Sequence, residues 1–138
     1  MVTMEAQALD AYLQEVFPQL SGYRIEVADG ESVRVRLNVA DRHLRPGGTV
    51  SGPTMFELAD VAVYGAILSR IGKVPLAVTT NASIDFMRKP EAGRNLAAVA
   101  RLLKLGRTLA VGDVLIFSDG QDQPVARCSL TYSIPPRR

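Results

Sequence analysis

The chain has 138 residues, 47% of them hydrophobic and 22% charged, with a formal net charge of +2. That length fits one domain with its own core, and the scattered charge excludes a nucleic-acid-binding basic tail. Cys128 is the single cysteine, which excludes an internal disulfide and fits a reducing compartment. The sequence shows no signal-peptide pattern and no apolar run near the ~20 residues of a membrane span, so a cytoplasmic protein without a membrane partner is expected.

Residues 4–17 place Ala6, Leu9, Leu13, Val16 and Phe17 at helical spacing, and Pro18 ends that amphipathic helix. Tyr23–Ala28, an Asp29-Gly30 turn and Ser32–Val39 follow. Val33, Val35, Leu37 and Val39 alternate with polar residues there, predicting a hairpin with one buried face. A loop over 40–52 leads to a central helix over 53–71, where Pro53 suits the first turn. Apolar residues wrap that helix on nearly every side, which predicts burial on every side. Ala59, Ala62, Gly65 and Ala66 permit close approach of another element. Strands follow at about 75–88, 94–105, 107–118 and 124–134, and their short breaks predict an antiparallel meander. One curved antiparallel sheet around one buried helix, an α+β hotdog fold, accounts for the pattern within a single domain, 1–138.

Four segments carry a resemblance to a known group. They are His43-Leu-Arg-Pro-Gly-Gly-Thr-Val-Ser-Gly-Pro running into Leu58-Ala59-Asp60, then Val78 to Pro90 (Val-Thr-Thr-Asn-Ala-Ser-Ile-Asp-Phe-Met-Arg-Lys-Pro). The third is Leu105-Gly106-Arg107-Thr108-Leu109-Ala110-Val111, and the fourth is Asp119-Gly120 with Pro124-Val125-Ala126. In order and spacing they resemble the hotdog-fold thioesterases of the phenylacetate-pathway type. The resemblance implies an acyl-CoA thioesterase acting as a homodimer, with pairing of dimers into tetramers left open. Where that group carries His-Gly-Gly the chain has Ser51-Gly52-Pro53, and the group's loop asparagine falls on Arg45. These two positions are associated with orienting the thioester.

Thioester hydrolysis needs a donor for the oxyanion and a base or nucleophile. The donor candidate is the Gly52 N–H at the N-terminus of the central helix, where unpaired N–H groups and the helix dipole favour negative charge. Glycine also permits close approach to the backbone; a Gly-Pro helix start without a chemical role is the alternative. The carboxylate candidate is Asp60, set among Phe56, Val63, Tyr64 and Ile67 on the helical wheel. A carboxylate in an apolar stripe is costly unless paired or useful, and the resemblance places it at the group's Leu-Ala-Asp. Gly52 and Asp60 lie eight positions apart, roughly 12 Å along a helix. One carbonyl would therefore meet Gly52 of one chain and Asp60 of a second, antiparallel one. Thr79 lies where the group carries a Ser or Thr that holds water, or is simply a strand-favouring residue.

Arg88, Lys89 and Arg107 are candidates for the phosphates of coenzyme A, or are solvated strand-end charges. Beyond the coenzyme A of the substrate, no metal or organic cofactor is indicated. Cys128 falls in phase with the apolar face of the last strand, as a core residue. Two other functions stay open. One is a hotdog β-hydroxyacyl dehydratase or hydratase using His43 and Glu57 as an acid–base pair. The other is a non-catalytic acyl-CoA-binding module.

Overall fold

The protein is described by a computed structural model that covers residues 2–136. Helix α1 (Ala6–Val16) and a 3-10 turn (Pro18–Leu20) precede the β1 (Tyr23–Ala28) and β2 (Val33–Leu37) hairpin. Helix α2 (Gly52–Ile71) comes next, then β3 (Val78–Phe86), β4 (Leu96–Leu105), β5 (Leu109–Ser118) and β6 (Ala126–Ser133). The six strands form one antiparallel sheet in the order β1-β2-β4-β5-β6-β3, with α2 lying along its inner face. This is the hotdog arrangement expected from the sequence.

The meander expectation needs correcting. Strands β4, β5 and β6 do follow one another, but β3 pairs with β6, through Val78↔Ser133 and Phe86↔Ala126, and not with β4. The far side of β4 is taken by the hairpin, with Leu37↔Leu96 and Val33↔Ala100. The connection after β3 must therefore cross the end of the sheet. It is pinned there by the Met87 and Arg88 N–H groups, which both donate to the Val125 carbonyl at 2.8 and 3.1 Å. As a result β3 has one free edge.

Local chemistry sets the limits of α2. Ser51 is its N-cap, with Oγ accepting from the Thr54 N–H at 3.3 Å. The helix thus starts at Gly52, one residue before the expected Pro53. Gly72, at φ 87°, ends it and donates its N–H to the Leu68 carbonyl at 2.8 Å. The loop before it folds back as a small hairpin, Leu44 bridging Val50, and the reversal is made by Gly47 and Gly48 at φ 100° and 82°.

Leu58, Val63, Ile67 and Leu68 are fully buried against the sheet, each contributing about 1.5–3 kcal/mol. Helix and sheet approach so closely that a Cβ on Gly112 of β5 would lie 2.9 Å from both Val63 methyls. The expectation of burial on every side holds from Val61 to Ser69 and fails before it. In the first half, Pro53, Phe56 and Glu57 are exposed and Asp60 is half-buried. Beside this open face lies β3, most of whose residues are exposed, and Leu76, Val78, Phe86 and Met87 are large apolar side chains left open.

Candidate active site

The open face of α2 carries a recess at each end. The first surrounds Asp60. Its Oδ1 accepts hydrogen bonds from the hydroxyls of Thr79 on β3 and Tyr132 on β6, the latter at 2.7 Å. The Tyr132 hydroxyl also lies 3.0 Å from the Asp60 carbonyl. The bulge between Thr79 and Asn81 is where β3 shifts register against β6. No hydrogen bond to Asp60 Oδ2 is present among the described residues. A carboxylate pinned through one oxygen and free at the other can accept a proton without losing its position. Burial first, and then the negative charge of Asp60, holds the Tyr132 phenol far above its ordinary range, so it stays a donor.

Asp60, Thr79 and Tyr132 line a cavity of about 300 Å³ whose apolar walls include Tyr64, Leu20 and Phe17. The Tyr64 ring stacks on Tyr132 at 6.1 Å, and its hydroxyl donates to the Pro75 carbonyl at 2.9 Å. At the rim, Glu57 Oε1 accepts from the Tyr23 hydroxyl at 2.5 Å.

The second recess surrounds Gly52, the residue directly after the cap. No partner for the Gly52 N–H is present among the described residues. A Cβ at this position would meet the Phe86 ring at 3.2 Å, so the close approach that glycine permits is made by an aromatic ring of β3. A cleft of about 770 Å³ is lined by Gly52, Phe86, Arg45, Arg88 and Lys89. All three cations are exposed, and Arg88 donates to the Pro124 carbonyl at 2.7 Å.

Of the residues singled out from sequence, Asp60 and Thr79 are brought into contact, and Gly52, Arg45, Arg88 and Lys89 share one recess. Arg107 is not with them. It sits in the β4–β5 turn beside Leu109, which pairs with Ser133 at the Val78 end of the sheet, whereas Arg88 follows Phe86 at the other end. Within one protomer the length of β3 separates the two. Ser51 is engaged as the helix cap, its Oγ also 2.9 Å from the Thr54 hydroxyl. The sequence assigns no site role to Tyr132, Tyr64 or Phe17, although Tyr64 falls beside Asp60 on the helical wheel. Their spacing looks like ordinary core, and only the β3–β6 pairing brings Tyr132 to Thr79.

His43 is buried. Its Nδ1 accepts from the Ala40 N–H at 2.8 Å, and its carbonyl accepts from the Ser51 N–H at 2.8 Å. Burial, and then the charge of Arg42, lowers its pKa, which keeps the ring neutral. His43 and Glu57 share no hydrogen bond: Glu57 is engaged by the Tyr23 hydroxyl and His43 by the Ala40 N–H. Cys128 is 1% exposed and burial pushes its thiol up to about 12, in keeping with a core role.

A curved antiparallel sheet wrapped on one central helix defines a class of protein, and comparison with known sequences and structures agrees with that fold. The sequence model described as "Thioesterase superfamily" matches residues 47–125. A crystal structure provisionally named a thioesterase, from Silicibacter sp. TM1040, is 60% identical, with a TM-score of 0.92 over 99% of this chain and 95% of that one. The Pseudomonas aeruginosa protein PA1618, provisionally named an esterase, is 32% identical over 97% of this chain and 92% of its own length. The PaaI protein of the Escherichia coli phenylacetic acid degradation operon shares the fold, with a TM-score of 0.78 at 24% identity over 96% and 97% of the two chains. The chain belongs to the thioesterase superfamily, and its enzyme class is thioester hydrolase. Among the described residues no helix is long and apolar enough to cross a membrane.

Proposed function

We propose that the chain is an acyl-CoA thioesterase working as a homodimer, with each site built from Gly52 of one protomer and Asp60 of its partner. The observation that carries this is Asp60 itself. Two hydroxyls fix one oxygen and leave the other free at a cavity, on the open face of a helix that is otherwise core. In this reading Asp60 acts as general base. Water adds to the thioester carbonyl carbon while Asp60 Oδ2 takes its proton, and Thr79 and Tyr132 hold the carboxylate in place. The oxyanion accepts from the Gly52 N–H, aided by the positive end of α2. Collapse breaks the C–S bond, and the departing thiolate recovers the proton, giving free acid and coenzyme A.

The dimer is asked for by distance and by surface. Gly52 and Asp60 are separated by roughly 12 Å of helix. The face that carries them is continuous with the exposed Phe56, Val78, Phe86 and Met87 and the free edge of β3, the kind of apolar patch that marks an interface. Antiparallel pairing would set the Asp60 end of one helix against the Gly52 end of the other. Arg45, Arg88 and Lys89 then meet the coenzyme A phosphates as charge partners. Arg107 can reach such a site only across the interface. Ser51 contributes by fixing the loop that presents the Gly52 N–H.

The test is a hydrolysis screen across short, medium, long and aromatic acyl-CoAs, repeated with Asp60→Asn. The expected result is cleavage of at least one class, with kcat lowered about 10³-fold in the variant and the melting midpoint little changed. Cleavage by no acyl-CoA above the uncatalysed rate at micromolar protein, or full activity in the variant, would overturn the proposal.

A further inference from the structure

We infer that Phe17, with Leu20 beside it, is the specificity-determining wall of the acyl pocket and limits this enzyme to compact acyl groups. The inference rests on the thioesterase reading and adds a substrate class to it. The cavity at Asp60 is bounded by α2 and by the starts and ends of β3 and β6, but its remaining wall comes from the turn after α1, where Phe17 and Leu20 line it. That turn lies outside residues 47–125, the stretch that matches the superfamily. The wall is therefore supplied by a part of the chain other than the one that carries the family pattern.

The wall is held firmly. The Phe17 N–H donates to the Leu13 carbonyl, and the Leu20 N–H donates to the Phe17 carbonyl, both at 2.9 Å. Gln14 Nε2 donates to the carbonyls of Leu20 and Tyr23 at 3.3 and 3.0 Å, tying the turn to both α1 and β1. Pro18 stiffens the chain directly after Phe17. The Phe17 ring meets Tyr64 edge-on at 5.6 Å, and Tyr64 in turn stacks on Tyr132, whose hydroxyl holds Asp60. An acyl chain whose carbonyl sits at Asp60 and whose tail enters this cavity runs toward a ring backed by Tyr64 and carried on a backbone-anchored turn. The cavity of about 300 Å³ is closed on the Phe17 and Leu20 side. It suits a short, branched or single-ring acyl group and stops a long straight chain.

The experiment measures kcat/KM for a ladder of straight-chain acyl-CoAs and one aromatic acyl-CoA, on the full-length protein and on Phe17→Ala, Phe17→Leu, Phe17→Trp and Leu20→Ala. Circular dichroism confirms that each variant folds. Phe17→Ala is expected to move the optimum by two or more carbons toward longer chains, and to raise the ratio of long to short substrates about tenfold, within what a hydrophobic pocket discriminates. Phe17→Trp should move it the other way. Should Phe17→Ala fail to fold, the milder Phe17→Leu and Leu20→Ala carry the same expectation. An unchanged order of preference in the folded variants, with hydrolysis intact and dependent on Asp60, would sink this inference and leave the thioesterase reading standing. An absence of hydrolysis in the parent protein would sink both.

Discussion

The two halves of α2 differ in what covers them. From Val61 to Ser69 every residue is buried, and the helix lies so near the sheet that β5 needs Gly112 beneath Val63. From Gly52 to Asp60 the helix carries Glu57 and Asp60 among apolar residues, and one side of it, through Pro53, Phe56 and Glu57, is open. Phe56, Val78 and Phe86 are about half exposed, so leaving them uncovered forgoes about 1 kcal/mol each. The open half also holds the aspartate. One helix thus divides into a segment that organises the core of its own chain and a segment that carries chemistry and an unfilled surface. The comparison teaches that hydrophobicity marks a residue for burial without saying by which chain.

Phe56→Lys puts a charge in the middle of the open half and is the severest way to break that division. If the open face is where two protomers meet, the variant should sediment as a monomer while the parent sediments as a dimer. Hydrolysis should fall about 100-fold or more, because Gly52 and Asp60 would no longer face one another. A variant that stays monomeric and fully active, or a parent that is itself monomeric and active, would remove the division's functional half. Gly112→Ala probes the buried half. Its new methyl must displace Val63, and overpacking of this kind costs about 1–3 kcal/mol. The melting midpoint should drop by several degrees at unchanged oligomeric state. No drop would mean that helix and sheet have slack between them.

The sequence carried the fold well, because amphipathic and alternating patterns report directly on which face is covered. It carried α2 to within one residue and the strands to within a few. It did not carry the partner of β3, because short breaks between strands look alike whether the chain turns back or crosses over. The hairpin's occupation of the β4 edge is a fact of the whole sheet. The site was legible where a residue is chemically out of place, as Asp60 is on an apolar helix. It was illegible at Tyr132, where an aromatic residue on a strand's inner face looks like core. Nearness in sequence does not place Arg107 beside Arg88, from which strand β3 separates it by its full length within one protomer.

Tyr132→Phe is the finest test of how the open half works. The change keeps the ring that stacks on Tyr64 and deletes one hydroxyl. Asp60 Oδ1 would retain Thr79 and lose the donor at 2.7 Å, along with the contact at 3.0 Å to its own backbone carbonyl. A hydrogen bond to a charged group contributes about 1.5–3 kcal/mol, and with a second donor remaining only part of that should reach the rate. The expected loss is about tenfold in kcat with KM unchanged, because the hydroxyl holds the base rather than the substrate. Thr79→Val should behave alike. The double variant should lose more than the product of the two, since each single variant is buffered by the hydroxyl that remains on the same oxygen. A rise in KM with kcat intact would mean that Tyr132 belongs to the acyl pocket and that the carboxylate is positioned without it.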